Sequence, residues 1–306
     1  MPASFPKKYK IFISLFPLLC VMFTARCFGQ QSATASPNRF KFKTVIIDAG
    51  HGGKDPGSHG TYSKEKNVSL SIAKKLRDAI NDEMSGIKVV MTRSTDVFIE
   101  LHKRTDIAND NHGNLFISIH CNSSPQRKGS SRGTLLLVYG FHRSQEQREA
   151  LRENASIFIE KDYKEKYNGY GDDAAVNTIV LNAFQQKYRK QSIQFGDLVD
   201  NQFRKTNGRH SLGVKEQGVL VLAQSGMPAV LVETGFINNP SDEAYLNSTS
   251  GQNEIVRSIL TALKQYRNNL EGINSNPPYI ITLIKHLCFV LIFILLNIST
   301  TIKNPL

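Results

Sequence analysis

Cysteine is scarce in this 306-residue chain, with four in all. Cys20 and Cys27 fall near the start and Cys288 near the end, so the body between holds Cys121 alone. A single thiol closes no internal disulfide, so even in an oxidising compartment the body must rest on an ordinary core. Long apolar runs are absent from the body and confined to the two ends. Clustered basic charge is missing too. The formal net charge is +12, but Lys7, Lys8, Lys10 and Arg26 belong to the first end and Lys285 and Lys303 to the last, which leaves the body +6. That dispersed charge suits an acidic polymer, a membrane surface or plain solvation, and it is not a nucleic-acid footprint. There is no internal repeat and no HExxH metal motif.

The ends carry their own signals. Three lysines precede the apolar run from Ile11 to Phe23, and small or polar residues follow, which describes a secretory signal peptide over residues 1–29 cut near Gly29. The run is short for an uncleaved membrane span, and Arg26 before Cys27 fits a lipoprotein signal poorly. Residues 30–42 read as a short linker. At the far end, residues 272–306 form a hydrophobic tail in which Ile280 to Ile298 could just cross a bilayer. A membrane anchor and a functionless extension both fit that composition.

Between the ends, residues 43–271 are long enough for one sizeable α/β domain. Thr44 to Asp48, Ile87 to Thr92, Leu115 to Ile119, Gly133 to Tyr139, Val219 to Ala223 and Ala229 to Glu233 read as strands. Asn67 to Asp82 places Val68, Ile72, Leu76 and Ile80 at helical spacing, and Phe98 to Asp110 and Asn253 to Asn269 also read as helices. This alternation predicts a mostly parallel twisted sheet flanked by helices. It lapses over about residues 142–213, a polar and helix-prone stretch that reads as an insert between strands. The second half of the insert, with Ile179, Leu181, Phe184 and Tyr188 near helical spacing, is expected to pack on the sheet.

Three ionisable residues close or follow strands: His51 after the first, His120 at the end of "LFISIHCN" and Glu233 at the end of "AVLVE". In open parallel sheets ligands gather outside the carboxyl ends of strands. A histidine after one strand is usually a loop hydrogen-bonder; three such groups on one edge are a different matter. A carboxylate ending an apolar strand must be paired, shifted in pKa or metal-bound. Glu65, just before a helix, reads by itself as a favourable partner of the helix dipole. Catalytic zinc takes three nitrogen or oxygen ligands and keeps a position for water, and a further glutamate could act as base. The glycines at 50, 52, 53, 57 and 60 would let a loop bend around an ion.

Five segments in order, "VIIDAGHGGKDPGSHG…EKNVSLSIAKKL", "VVMTRSTDVFIELHKRTDIAN", "LFISIHCNSS", "GTLLLVYG" and "MPAVLVETGFINNPSDEAYL", resemble the successive motifs of the zinc-dependent N-acetylmuramoyl-L-alanine amidases of the Amidase_3 type. The resemblance runs from about Lys43 to Tyr266. It implies one Zn2+ per chain held by His51, Glu65 and His120, with Glu233 as the catalytic glutamate, and so replaces the structural reading of Glu65. It puts Asn122, Arg93 and Arg104 at recurrent positions: Asn122 as a substrate or supporting residue, the arginines as anchors of the loop and helix after the second strand. Cys121, adjacent to His120 on a strand, should face the opposite side and is not a ligand. The implied reaction cleaves the amide between the lactyl group of N-acetylmuramic acid and L-alanine in peptidoglycan, which agrees with export to the periplasm or cell envelope.

Amidases of this type that act in cell division can carry a helical insert which occludes the zinc until an activator protein displaces it. "LRENASIFIE" (Leu151 to Glu160) resembles the start of such an insert, and Glu153 is the residue that would fill the open position at rest. The competing reading makes this a solvated helix whose acidic residues keep it soluble. Rival functions are a zinc peptidase or amidohydrolase acting on another amide, and an inactive wall-binding relative. The latter should have lost a ligand or the base, yet all four residues are present.

Overall fold

A computed structural model of the chain describes residues 41–126, 129–140, 147–167, 174–205 and 207–272, without side chains for 174–186. The leader and the tail inferred from the sequence lie outside the described residues. Six strands make one sheet: β1 (Thr44–Ala49), β2 (Lys88–Met91), β3 (Leu115–Asn122), β4 (Thr134–Tyr139), β5 (Ser211–Gln217) and β6 (Ala229–Phe236). Their order is β2-β1-β3-β6-β4-β5. Every neighbouring pair is parallel except β4 with β6. The mostly parallel α/β sheet expected from the sequence is therefore present. Because β1, β3 and β6 run the same way, their carboxyl ends share one edge.

Eight helices accompany the sheet among the described residues: α1 (Glu65–Glu83), α2 (Leu101–Asp110), α3 (Arg148–Asn154), α4 (Tyr163–Lys166), α5 (Ala174–Lys205), α6 (Leu220–Ala223), α7 (Pro240–Asn247) and α8 (Thr249–Leu270). A 3-10 turn, Ala155–Ile159, follows α3. β1, β3, β4 and β6 are buried along their whole length, as expected of near-continuous apolar strands covered on both faces. One face carries Val45, Ile47, Ile117, Val230 and Val232 against Ile72 and Leu76 of α1, Phe195 and Val199 of α5, and Ile259 and Leu263 of α8. The other carries Ile46, Phe116 and Leu231 against Ala108 of α2, Ala150 of α3 and Leu222 of α6. Side chains alternate along a strand, so Asp48, Ser118, His120 and Glu233 project on this second face. Cys121 packs into the first, opposite His120.

Two expectations change. Val219 to Ala223 is not a strand: Leu220–Ala223 forms a short helix buried all round. A short apolar run without alternation fits either state, and packing beneath α2 and α3 decides it. The last strand to be placed, β5, was hidden because its sequence SLGVKEQ is polar and only partly buried, as suits a sheet edge. It also overlaps the end of the expected insert at residues 211–213, so the helical stretch ends sooner. The final helix is present as expected, and a separate short helix that the sequence reading does not include, α7, precedes it with Ser248 between them. In α5, the described side chains that reach the core are in its second half, Phe195, Val199 and Phe203.

No helix among the described residues is long and apolar enough to cross a membrane.

Candidate metal centre

After β1 the chain passes through Gly50 and His51, and His51 has a positive φ of 59°, a costly conformation for a residue with a side chain. Two buried arginines hold it. Arg93 donates from Nε to the Ala49 carbonyl at 2.8 Å and from Nη2 to the Gly50 carbonyl at 2.6 Å. Arg104 donates to Asp48 Oδ1, to the Ala49 carbonyl and to the His51 carbonyl, each at 2.8 Å. The arginines, placed after β2 and on α2, thus anchor the loop after β1 as well as their own surroundings. At Gly50 a Cβ would lie 2.3 Å from the His120 ring, and at Gly57 it would lie 2.6 Å from the His51 ring. Only glycine lets these backbones pass so close.

Four side chains meet beyond this loop. His51 Nε2 lies 3.1 Å from Glu65 Oε1 and 3.3 Å from Glu153 Oε2. His120 Nδ1 lies 3.0 Å from Glu65 Oε1 and 2.8 Å from Glu153 Oε2. All four residues are buried, Glu65 completely. On the far side of its ring, His51 Nδ1 is 2.9 Å from Asp55 Oδ2, which fixes the ring and aims Nε2 at the centre. Glu65 accepts from the Cys121 amide at 2.9 Å through Oε1 and from the Ser58 amide at 2.8 Å through Oε2. Glu65 stands in the first turn of α1, so the helix dipole adds to this support.

The donors present fit a metal ion. Ligand bonds of roughly 2.0–2.2 Å in tetrahedral geometry place ligand atoms about 3.3 Å apart, close to the separations found here. Despite these short approaches, His51 Nε2 and Glu153 Oε2 make no hydrogen bond of acceptable geometry among the described residues. His120 Nδ1 and Glu65 Oε1 do hydrogen-bond, at 3.0 Å, but two buried polar atoms left unpartnered beside them are suited to a shared cation. The electrostatics agree. Burial would lower the pKa of His51, but Glu65 and Asp55 raise it well above its ordinary value. Burial opposes protonation of His120 as well, yet Glu153 and Glu65 lift it to about 9. Both glutamates are lowered against the penalty of burial, Glu65 chiefly by His51 and Glu153 chiefly by His120 and Arg152. The pocket favours positive charge at its centre.

Glu233 sits beside the cluster, fully buried. Burial raises its pKa, Arg152 pulls it down, and Glu153 and Glu65 push it up again, to about 8. Arg152 of α3 donates from Nη2 to Glu233 Oε1 at 2.6 Å, and from Nη1 to Asn122 Oδ1 at 2.7 Å and to the Ser123 carbonyl at 3.1 Å. The insert is therefore seated on the site. Asn154 brackets α6 through the Gly218 carbonyl and the Leu220 amide, and Glu160 caps α2 at the Leu101 amide. Glu153 is only 4% exposed, so this acidic side chain is not itself solvated.

The structure brings together His51, Glu65, His120, Glu233, Asn122 and Glu153. Two further residues escaped the sequence reading. Asp55, four positions after His51, offered a faint signal in that spacing. Arg152 offered none, because its partners lie 30 and 81 positions away.

The pattern of the N-acetylmuramoyl-L-alanine amidase family, Amidase_3, matches residues 45–265. The chain is 30% identical over 227 residues to the N-acetylmuramoyl-L-alanine amidase AmiA of Escherichia coli K12, covering 73% of this chain and 76% of that one. It is 34% identical over 224 residues to AmiC of Escherichia coli O6:H1, covering 72% of this chain and 52% of that one, so it spans about half of AmiC. Among solved structures, an N-acetylmuramoyl-L-alanine amidase from Clostridium difficile 630 shares the fold, with a TM-score of 0.55 and 24% identity over 74% of this chain and 97% of that one. On this match over most of its length, the chain belongs to the N-acetylmuramoyl-L-alanine amidase family, hydrolases that degrade peptidoglycan.

Proposed function

We propose that the centre is a zinc site with His51, Glu65 and His120 as resident ligands, Glu233 as general base and Glu153 as a resting-state occupant. The observation that carries this reading is the convergence of two imidazoles and two carboxylates at 2.8–3.3 Å in a buried pocket beside Glu233. Two nitrogens and one oxygen are a donor set that suits zinc. Zinc bound there would polarise the amide carbonyl and lower the pKa of a water molecule. The chain's residues do the rest. Asp55 and the Ser58 and Cys121 amides keep the ligands oriented. Glu233 accepts a proton from the attacking water and delivers it to the amide nitrogen as the carbon–nitrogen bond breaks. The bond cleaved is the one between the lactyl group of N-acetylmuramic acid and L-alanine.

The test is incubation of the protein with peptidoglycan, with released products identified by mass spectrometry. Free stem peptides beginning with L-alanine are expected, and chelator or Glu233→Gln should lower their release by roughly 100-fold or more, the scale of a general base. Peptides cut at another amide would instead favour a zinc peptidase. Release unaffected by Glu233→Gln would remove the role given to that residue.

In the same reading the insert restrains the enzyme until an activator protein lifts it. Glu153→Ala, alone or combined with Arg152→Ala, should raise hydrolysis without an activator by about tenfold, and an unchanged rate in both variants counts against restraint. The basic, apolar leader supports export to the periplasm or cell envelope, where peptidoglycan lies, and the apolar tail supports membrane attachment. Fractionation of cells expressing the chain with and without residues 272–306 tests that attachment.

A further inference from the structure

Arg152 does more than lie near Glu233. Its guanidinium meets three acceptors on the catalytic side, Glu233 Oε1 at 2.6 Å, Asn122 Oδ1 at 2.7 Å and the Ser123 carbonyl at 3.1 Å. Among the described residues, the other polar side-chain contact of its guanidinium is with Glu153 Oε1, its neighbour on α3. Glu233 is wholly buried and Asn122 only 1% exposed. The orientation of the Asn122 amide is set by its donors, because Oδ1 also accepts from the Ser123 amide at 2.7 Å. Its Nδ2 atom has no hydrogen-bond partner among the described residues, and neither has Glu233 Oε2. With α3 lifted away, Glu233 Oε1 and the Ser123 carbonyl would lose the Arg152 donor and Asn122 Oδ1 would keep only the Ser123 amide, leaving three acceptors facing the same small volume for water or a ligand to satisfy.

What fits three convergent acceptors, one of them anionic, is a cation with several N–H groups. Hydrolysis of the scissile amide produces such a group at this place. Water adds its oxygen to the acyl carbon, the carbon–nitrogen bond breaks, and both water protons end on nitrogen and leave a carboxylate. The departing peptide then carries an N-terminal ammonium with three N–H donors. We infer that Glu233 Oε1, Asn122 Oδ1 and the Ser123 carbonyl form the subsite for this leaving amine, and that Arg152 fills it as an internal mimic while the insert is docked. The inference rests on the amidase reading for the origin of the amine, and it gives the insert two points of occupation: Glu153 among the metal donors and Arg152 in the amine subsite. Asn122 becomes a residue that recognises the peptide.

The experiment measures binding without catalysis. The full chain and its Arg152→Ala/Glu153→Ala variant, both kept metal-free with chelator, are titrated by calorimetry with L-alanyl-L-alanine and with its N-acetylated form. The unaltered chain should take up neither. The variant should bind the free amine at least tenfold more tightly than the acetylated peptide, the scale of losing a charge-assisted hydrogen bond. Adding Asn122→Leu should weaken the free-amine complex by about the same factor. Equal binding of both peptides, or binding of neither, overturns the subsite. Should the double variant not fold, as judged by circular dichroism, Arg152→Met/Glu153→Gln keeps the length of the glutamate and much of the arginine's apolar stem, and carries the same expectations. Hydrolysis of peptidoglycan by the zinc-loaded double variant, in which the insert no longer occupies the site, is read separately. Selective amine binding without hydrolysis would leave the subsite standing and sink the amidase reading, and the reverse result would do the opposite.

Discussion

Asp48 shows how a buried charge can serve the site without touching it. Burial would raise its pKa, but Arg104, with help from the Ser118 and Thr92 hydroxyls, holds it at about 2. Its partners are close: Thr92 Oγ1 at 2.6 Å, Ser118 Oγ at 2.7 Å and Arg104 Nη1 at 2.8 Å. A folded-state pKa below the unfolded value near 3.9 adds stability that is complete above about pH 4 and is lost as the pH falls through about 2. The difference corresponds to about 2–3 kcal/mol. Asp48→Asn leaves Arg104 buried without its counter-charge, so it should cost about 3–5 kcal/mol near neutrality. It should also abolish this part of the acid sensitivity. Urea unfolding of both proteins at pH 7 and pH 3 measures the two effects, and a gap that does not narrow at the lower pH would contradict the assignment.

At the scale of elements, α7 shows how a short helix is fixed by its start. Asn239 caps it, its Oδ1 accepting from the Ser241 and Asp242 amides at 3.0 and 3.1 Å while Nδ2 donates to the Gly129 carbonyl. Pro240 follows at the first helical position, where its lack of an N–H costs nothing. The cap also sets Asp242, which accepts from the Gly133 and Phe236 amides and so ties α7 to the starts of β4 and the end of β6. Asn239→Ala should cost about 1 kcal/mol and lower Tm by about 2–4 °C, read by thermal unfolding. The effect on hydrolysis should be small, because Asn239 touches none of the converging side chains. A collapse of activity at unchanged Tm would mean that α7 governs the site more directly than its contacts indicate.

For the whole molecule, the centre draws its donors from three separate stretches of chain: the loop after β1 with the head of α1, the end of β3, and the insert. A metal ion that bridges them binds the folded state and not the unfolded one, so it stabilises by linkage. Added zinc at about 100 times its dissociation constant should contribute about 2.7 kcal/mol and raise Tm accordingly. His51→Ala should remove most of that gain while leaving the metal-free Tm within a few degrees. A Tm indifferent to zinc and chelator in the unaltered chain would argue against a metal held at this place.

The sequence by itself determined the parts whose physics is local or periodic. Apolar β-branched runs specified β1, β3 and β6, the spacing of Val68, Ile72, Leu76 and Ile80 specified α1, and strand ends located His51, His120 and Glu233. Ordered motifs then singled out Glu65, which local reasoning assigned to the helix dipole. Only the tertiary structure decided the rest. Leu220–Ala223 is a helix because of what packs around it, and β5 is a strand because β4 offers it an edge. The insert's resemblance pointed to Glu153, but the seating of Arg152 on the site depends on a side-chain contact with Glu233 across 81 positions of sequence. Hydrogen bonds and ion pairs between residues so distant leave no periodicity to read, since nothing in either segment alone records its partner.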